Sequence, residues 1–162
     1  TKWLRRINVT AEYQLNMDDF GHLRRDAAGA ALGYQWGPKS VITFPSGSQK
    51  LREKGWYEIS GLAWSGRGKV KKVDVSVDGG RNWQTARLEG RPMTKCLTRF
   101  NIDWVWKGGP AILQSRAWDD KGNVQPTRAA WNAVYSPSNR YHNNMIQTWA
   151  VAADGSVSNV YL

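Results

Sequence analysis

A chain of 162 residues can hold one well-cored domain and is too short for two full domains with a linker. Its hydrophobic content of 41% and charged content of 22% are those of a folded globular protein, and no apolar run approaches membrane-spanning length. The formal net charge of +10 favours anionic partners without naming one, but the basic residues are dispersed in pairs such as Arg5-Arg6, Arg24-Arg25 and Lys71-Lys72 and do not build the continuous stripe a nucleic-acid binder needs.

The chain opens at Thr1-Lys2-Trp3-Leu4 inside sequence that reads as structured, which predicts a piece of a longer protein. Residues 1–9 read as a short strand or the end of one. Over residues 10–38, Asp18, Asp19, Gly21, Gly29, Gly33, Gly37 and Pro38 break any long periodicity. A short helix around Asn16–Ala31 and a linker that wraps over a domain surface are both open there.

From Ser40 the pattern becomes that of strands. Ser40–Phe44 is a β-branched run stopped by Pro45-Ser46-Gly47. Tyr57–Ser65 follows, with an apolar phase that shifts near Gly61, and a glycine at such a shift predicts a β-bulge. Val73, Val75 and Val77 alternate with Lys72, Asp74 and Ser76, which predicts a half-buried strand with one wet face. Asp78-Gly79-Gly80 supplies a hairpin turn, and a further strand begins near Trp83. Phe100, Ile102, Trp104 and Trp106 alternate with Asn101, Asp103 and Val105. Ala111–Trp118 is the next strand, closed by a plain turn at residues 119–123 in which Asp119 and Asp120 should face solvent. Arg128–Val134 and Met145–Ala152 complete a set of about seven strands. Short strands at even spacing between Gly, Pro and Asp turns predict an all-β, immunoglobulin-like antiparallel sandwich, with an irregular N-terminal linker.

Chemistry-bearing motifs are few. Residues 76–83 have the SxDxGxxW spacing of an Asp-box, a hairpin device that a propeller repeats blade after blade and that occurs here once. Nucleophile elbows, phosphate loops and zinc-binding helices have no counterpart in the sequence. Cys96 is the only cysteine, so no internal disulfide can form, and it reads as a small half-buried apolar side chain. His22 and His142 are the only histidines and stand far apart, which makes a histidine-rich metal site a poor reading. The ten tryptophans point first to core and interface packing.

The run from Glu58 to Trp83, followed by Asn123-Val124-Gln125-Pro126 and Trp131-Asn132, resembles the C-terminal dimerisation domain of molybdenum-dependent sulfite oxidases. The tail from Asn139 to Trp149 is more similar to the bacterial sulfite and sulfur dehydrogenases, the SoxC-like branch. The resemblance implies a domain order: residues 1–9 as a remnant of the molybdopterin-binding catalytic domain, 10–38 as linker and 39–162 as an immunoglobulin-like dimerisation domain. It implies a homodimer, an upstream molybdopterin domain, cytochrome c as electron acceptor of the parent protein, and a periplasmic location. It also makes Lys2 the one cofactor-binding candidate, since a lysine in a V-K-W-L-type segment contacts the pterin in that family; in this chain alone, an exposed terminal side chain is the simpler expectation. Cys96 lies inside the sandwich region and does not match the molybdenum-ligating cysteine. The animal enzymes carry a W-H-R-type arginine near the C-terminus that reaches the anion site; the comparable stretch here, Ile146-Gln147-Thr148-Trp149, has none, and Arg140 does not align.

The expected function is therefore subunit association within a molybdenum oxidoreductase acting on sulfite or a related sulfur compound, with no catalytic residue, metal or bound cofactor in this chain itself. The rival expectation is a carbohydrate-binding sandwich, whose exposed tryptophans would form a coplanar row for stacking on sugar rings.

Overall fold

The computed structural model describes residues 36–134 and 143–161 and, as a strand pairing only, Arg24–Arg25 with Ala31–Leu32. The chain divides into two units, Thr1–Gln35 and Trp36–Leu162. In the first, β1 (Arg24–Arg25) pairs antiparallel with β2 (Ala31–Leu32). Strand pairing at these positions replaces the helix considered around Asn16–Ala31. The rest of that stretch, the strand expected over residues 1–9, and Lys2 lie outside the described residues.

The second unit is a sandwich. Its strands are β3 (Lys39–Phe44), β4 (Gly55–Trp64), β5 (Val70–Ser76), β6 (Gln84–Thr85), β7 (Arg87–Leu88), β8 (Thr98–Trp106), β9 (Ala111–Asp119), β10 (Thr148–Val151) and β11 (Val157–Val160). One sheet runs β3-β4-β8-β7 and the other β11-β10-β9-β5-β6, with every named strand pairing antiparallel. Leaving aside the short β6 and the outer β11, the first sheet takes the first, second, fifth and fourth strands and the second sheet the third, sixth and seventh. This is the immunoglobulin connectivity. Ile42, Ile59, Val73, Val75, Phe100, Leu113 and Val151 are buried between the sheets. Trp104 packs against this core, and Trp106 belongs to it with its indole nitrogen donating to the Gly109 carbonyl at 2.8 Å.

Polar side chains stitch the sheets where no disulfide does. Gln125 is 2% exposed. Its Oε1 accepts from Ser40 N, Ser40 Oγ and Ala117 N, and its Nε2 donates to the Ser40 and Met145 carbonyls. Ser40 Oγ in turn accepts from Ser115 Oγ at 2.9 Å, across the sandwich. Trp149 Nε1 donates to the Ile42 carbonyl at 3.1 Å. These bonds satisfy groups on edge strand β3 that would otherwise be left open beside the core.

Four expectations are corrected. Arg128–Val134 is a helix, α1, with Trp131 buried; Thr127 Oγ1 accepts from Ala130 N at 3.2 Å and so caps it. Gly61 does not carry a bulge: β4 keeps an unbroken register with β8 from Gly55 opposite Trp106 to Ala63 opposite Thr98. The irregularity lies in β3, between Ile42 and Phe44. Tyr57, Ile59, Gly61 and Ala63 share the inner face, so the apolar shift marks Leu62 and Trp64 as residues of the outer face. The outer face of β5 is wet only at Lys72, because Asp74 and Ser76 are 3% and 1% exposed. Asp119 is likewise buried, receiving Ser65 Oγ, the Lys121 and Asn123 amides and the Asn123 side chain.

Candidate association surface

The outer face of the β3-β4-β8-β7 sheet presents the largest apolar side chains that the fold leaves uncovered on regular structure. Side chains alternate along a strand, so the residues of β4 that point away from Ile59 are Trp56, Glu58, Ser60, Leu62 and Trp64. On β8 the corresponding set is Arg99, Asn101, Asp103 and Val105, with Leu97 one step before the strand. Trp56 is 63% exposed and stands directly opposite Val105, at 59%. At the other end, Leu97 and Met93 are 68% and 61% exposed, and Trp64 Nε1 donates to the Lys95 carbonyl at 3.2 Å.

Between these apolar ends lies a charged stripe. Glu58 faces Asp103 across the ladder. Two carboxylates directly opposed would repel. Arg87 offsets this by reaching both, at 3.1 Å to Asp103 and 3.6 Å to Glu58. Its Nε donates to Asn101 Oδ1, and Asn101 Nδ2 donates to Glu89 Oε1, both at 2.8 Å. After Arg87 is counted, the Glu58–Asp103 pair retains one negative charge. Arg99 is exposed and makes no ion pair with the described residues.

The opposite outer face is closed by its own side chains. Asp74 Oδ2 accepts from Lys72 Nζ, Arg116 Nη2 and Trp118 Nε1, and Asp74 Oδ1 from Thr85 Oγ1. Burial pushes the Asp74 carboxyl up, but these hydrogen bonds outweigh it and hold the group below its ordinary range. The Arg116 guanidinium lies 4.2 Å from the Trp83 ring centre and 5.4 Å from that of Trp118, while Lys72 Nζ sits 4.6 Å from Trp118. Arg116 Nε is buried without a hydrogen-bond partner, a cost the ring faces offset in part.

Trp83 arrives there by way of the Asp-box, which behaves as the hairpin device its spacing predicts. Ser76 Oγ donates to Asp78 Oδ1 and accepts from Gly80 N; Asp78 accepts from the backbone and side-chain nitrogens of Asn82; Trp83 Nε1 donates to the Gly80 carbonyl. The Asn82 amides, with the Ser76 hydroxyl, pull the Asp78 carboxyl down to about 2.

The remaining candidates are structural. Cys96 is half-buried and free. Thr148, in the stretch where the resemblance would look for an arginine, is buried and accepts from Gln114 Nε2 at 2.9 Å. Lys39 Nζ donates to the Asn143 carbonyl and Asn144 Nδ2 to the Pro38 carbonyl, so the segment entering β10 is pinned to the start of β3; burial pushes the Lys39 amine below its ordinary range. Arg140, His22 and His142 lie outside the described residues. A cleft of about 190 Å³ opens between the sheets beside Asp78, Asn82, Gln84 and Asp103. Ligand sites run from about 300 Å³ upward, so it is too small for a drug-sized substrate.

The donor set does not fit a molybdenum centre. Among the described residues no three His, Cys, Asp or Glu side chains gather around a common point, and the buried carboxylates of Asp74 and Asp119 are already saturated by hydrogen bonds. Nor do the tryptophans form a sugar platform on β4, where the direct cross-strand neighbour of exposed Trp56 is Val105 and not a second ring. No helix among the described residues is long and apolar enough to cross a membrane.

Comparison with known proteins places this geometry. The family model described as "Mo-co oxidoreductase dimerisation domain" matches residues 32–149. Mouse mitochondrial sulfite oxidase is 33% identical over 175 aligned positions, covering 90% of this chain and 30% of the mouse protein. Soybean inducible nitrate reductase [NADH] 2 is 30% identical, covering 82% of this chain and 18% of that protein. Among solved structures, the sulfane dehydrogenase SoxCD from Paracoccus pantotrophus superposes with a TM-score of 0.77 at 51% identity, over 85% of this chain and 36% of the SoxCD chain. The chain thus spans about a third or less of the length of each of these proteins.

Proposed function

This chain belongs to the Mo-co oxidoreductase dimerisation domain family, and from that premise we propose that it pairs two copies of a larger molybdenum-cofactor enzyme and buttresses the rim of its active site. One observation carries the reading: the family match runs through β3 to the start of β10, the sandwich that exposes Trp56, Val105 and Leu97 on one sheet. A sandwich with a spare apolar face can bury it against its own copy about a two-fold axis.

The parent reaction in this proposal is the two-electron oxidation of sulfite or a related sulfur compound. Water supplies the oxygen atom, and two protons and two electrons are released, the electrons passing to a cytochrome c. The net charge of +10 favours the approach of an anionic substrate. Molybdopterin belongs to an upstream domain, of which residues 1–9 are the remnant and 10–38 the linker, with Lys2 touching the pterin there. The enzyme works in the periplasm. The similarity to SoxCD and to sulfite oxidase supports this reading over a nitrate-reducing one, since SoxCD shares 51% of its aligned residues with this chain and the soybean nitrate reductase 30%.

Two measurements test it. Sedimentation of the chain should give a concentration-dependent dimer; a monomer at every concentration would refute the association role. Metal analysis of the protein encoded by the full gene should find molybdenum, and a gene lacking an upstream pterin-binding region would end the redox assignment.

A further inference from the structure

We infer that the end of the sandwich around Gly68 docks an acidic, extended segment of a partner protein, with Lys69, Lys95 and Lys121 taking its carboxylates and Met93 and Val124 its apolar side chains. The surface lies at the end of the sandwich and not on a sheet face, so the inference does not depend on the pairing of two copies.

Three loops bring the charge together. The turn over residues 65–69 crosses the end of the sandwich from β4, in one sheet, to β5, in the other. The Gly68 carbonyl in this turn accepts from Lys95 N at 3.1 Å, which ties on the loop before β8. Lys69 N donates to Asp120 Oδ1 and Asp120 N to the Lys69 carbonyl, both at 3.0 Å, which ties on the turn after β9. Gly68 has no side chain, and a Cβ there would strike Asp120 and come within 3.3 Å of Lys121 Cγ. Arg67, Lys69, Lys95 and Lys121 therefore stand around one buried glycine, and all four are exposed.

Little at this end offsets them. Asp119 is 1% exposed and is saturated by Ser65, Lys121 N and Asn123. Asp120 is exposed and already accepts from Lys69 N. Glu89, at the start of the loop before β8, stands opposite Arg99 and accepts from Asn101 Nδ2. Lys69, Lys95 and Lys121 enter no ion pair with the described residues, whereas Lys50, at the far end, pairs with Asp154 at 3.4 Å. Clustered cations left in this way repel one another, and an anionic partner relieves the repulsion.

Shape and neighbours set the class of partner. The cations follow a rim that curves from one sheet to the other. A flat bilayer meets only part of such a rim, and a nucleic-acid duplex needs a longer stripe. Met93, 61% exposed, and Val124, 36% exposed, flank the cluster on its two sides. These aliphatic side chains suit the apolar residues of a protein segment and give a single-stranded nucleic acid no face for base stacking. Packed sheets lie about 10 Å apart and an extended residue advances about 3.3 Å, so a segment of about five or six residues crosses the rim.

The test is binding of a fluorescein-labelled peptide, about twelve residues of glutamate with interspersed leucine, to the whole chain, read by anisotropy. The unaltered chain should bind it. Lys69→Glu with Lys121→Glu should weaken binding at least tenfold, and Met93→Ser about threefold. Lys54→Glu with Lys107→Glu, exposed at the far end, changes the net charge equally and should leave binding nearly unaltered. Equal losses in the two double variants, or no binding by the unaltered chain, overturn the proposal. Should the reversals impair folding, Lys69→Gln with Lys121→Gln decides the matter by an intermediate loss; binding equal to that of the unaltered chain overturns the site. Phosphatidylglycerol vesicles and a thymidine oligonucleotide are titrated against the same variants. Tighter binding of either, lost in the Lys69 and Lys121 double variant, overturns the protein partner.

Discussion

Phe100 occupies the space that a side chain at Gly61 would need. The two residues sit directly opposite each other on β8 and β4, and a Cβ at Gly61 would collide with the Phe100 ring and with the Val41 carbonyl. Phe100 is fully buried. The glycine thus serves close packing of the ring, and the backbone there needs no positive φ.

Gly61→Ala should therefore destabilise the sandwich by about 1–3 kcal/mol, the usual cost of overfilling a packed core. Urea unfolding should show a lower midpoint with an unchanged slope. An unchanged midpoint would mean that Phe100 can move aside freely.

Gln125→Ala should cost about 2–4 kcal/mol, because it leaves the buried amides of Ser40 and Ala117 without their acceptor. Amide hydrogen exchange at those two positions should accelerate more than at Val73 in the middle of β5. Equal acceleration everywhere would indicate global loosening and not a lost cross-link.

Asp74→Ala removes the shared acceptor of Lys72, Arg116, Trp118 and Thr85. Lys72 and Arg116 retain 40% and 27% side-chain exposure, so water recovers part of the loss. A destabilisation of about 2–3 kcal/mol is expected, below that for a fully buried pair. Asp74→Asn should keep Trp118 hydrogen-bonded and fall between the two. Denaturant titration followed by tryptophan fluorescence distinguishes them.

Asp78 sets an acid limit. Its carboxyl titrates at about 2 in the folded chain and near its ordinary value, about 4, once unfolded. The folded state gains from the anion fully above about pH 4, and that gain fades as pH falls towards 2. The melting temperature should drop through this window, and Asp78→Asn should make the drop shallower. Identical pH profiles for the two proteins would refute the assignment.

The strands were legible where one face is apolar and the other polar, as in β8, and where Gly, Pro or Asp turns bound a β-branched run, as in β3. The hairpin at Asp78 was legible because its side-chain bonds are local in sequence. Helix α1 was misread as a strand although Thr127 before Arg128-Ala129-Ala130 is a helix-start signal. Strand β11 was passed over although Asp154-Gly155 marks the hairpin leading into it, with Gly155 at φ +84° and Asp154 accepting from Ser156 N and Oγ.

The sequence by itself determined the class of fold, the family resemblance and the Asp-box turn, because these depend on alternation and spacing within a few residues. Only the tertiary structure decided which polar residues are buried and which apolar ones are not. Asp74 is covered because Arg116 and Trp118, about forty residues further along the chain, are brought beside it by the β5–β9 pairing and donate to it, while Leu62 and Trp64 share the outer face with Trp56 because β4 runs on without a bulge. Burial is a property of what the rest of the chain lays over a residue, and that is set by sheet pairing across tens of residues, beyond the reach of any local pattern.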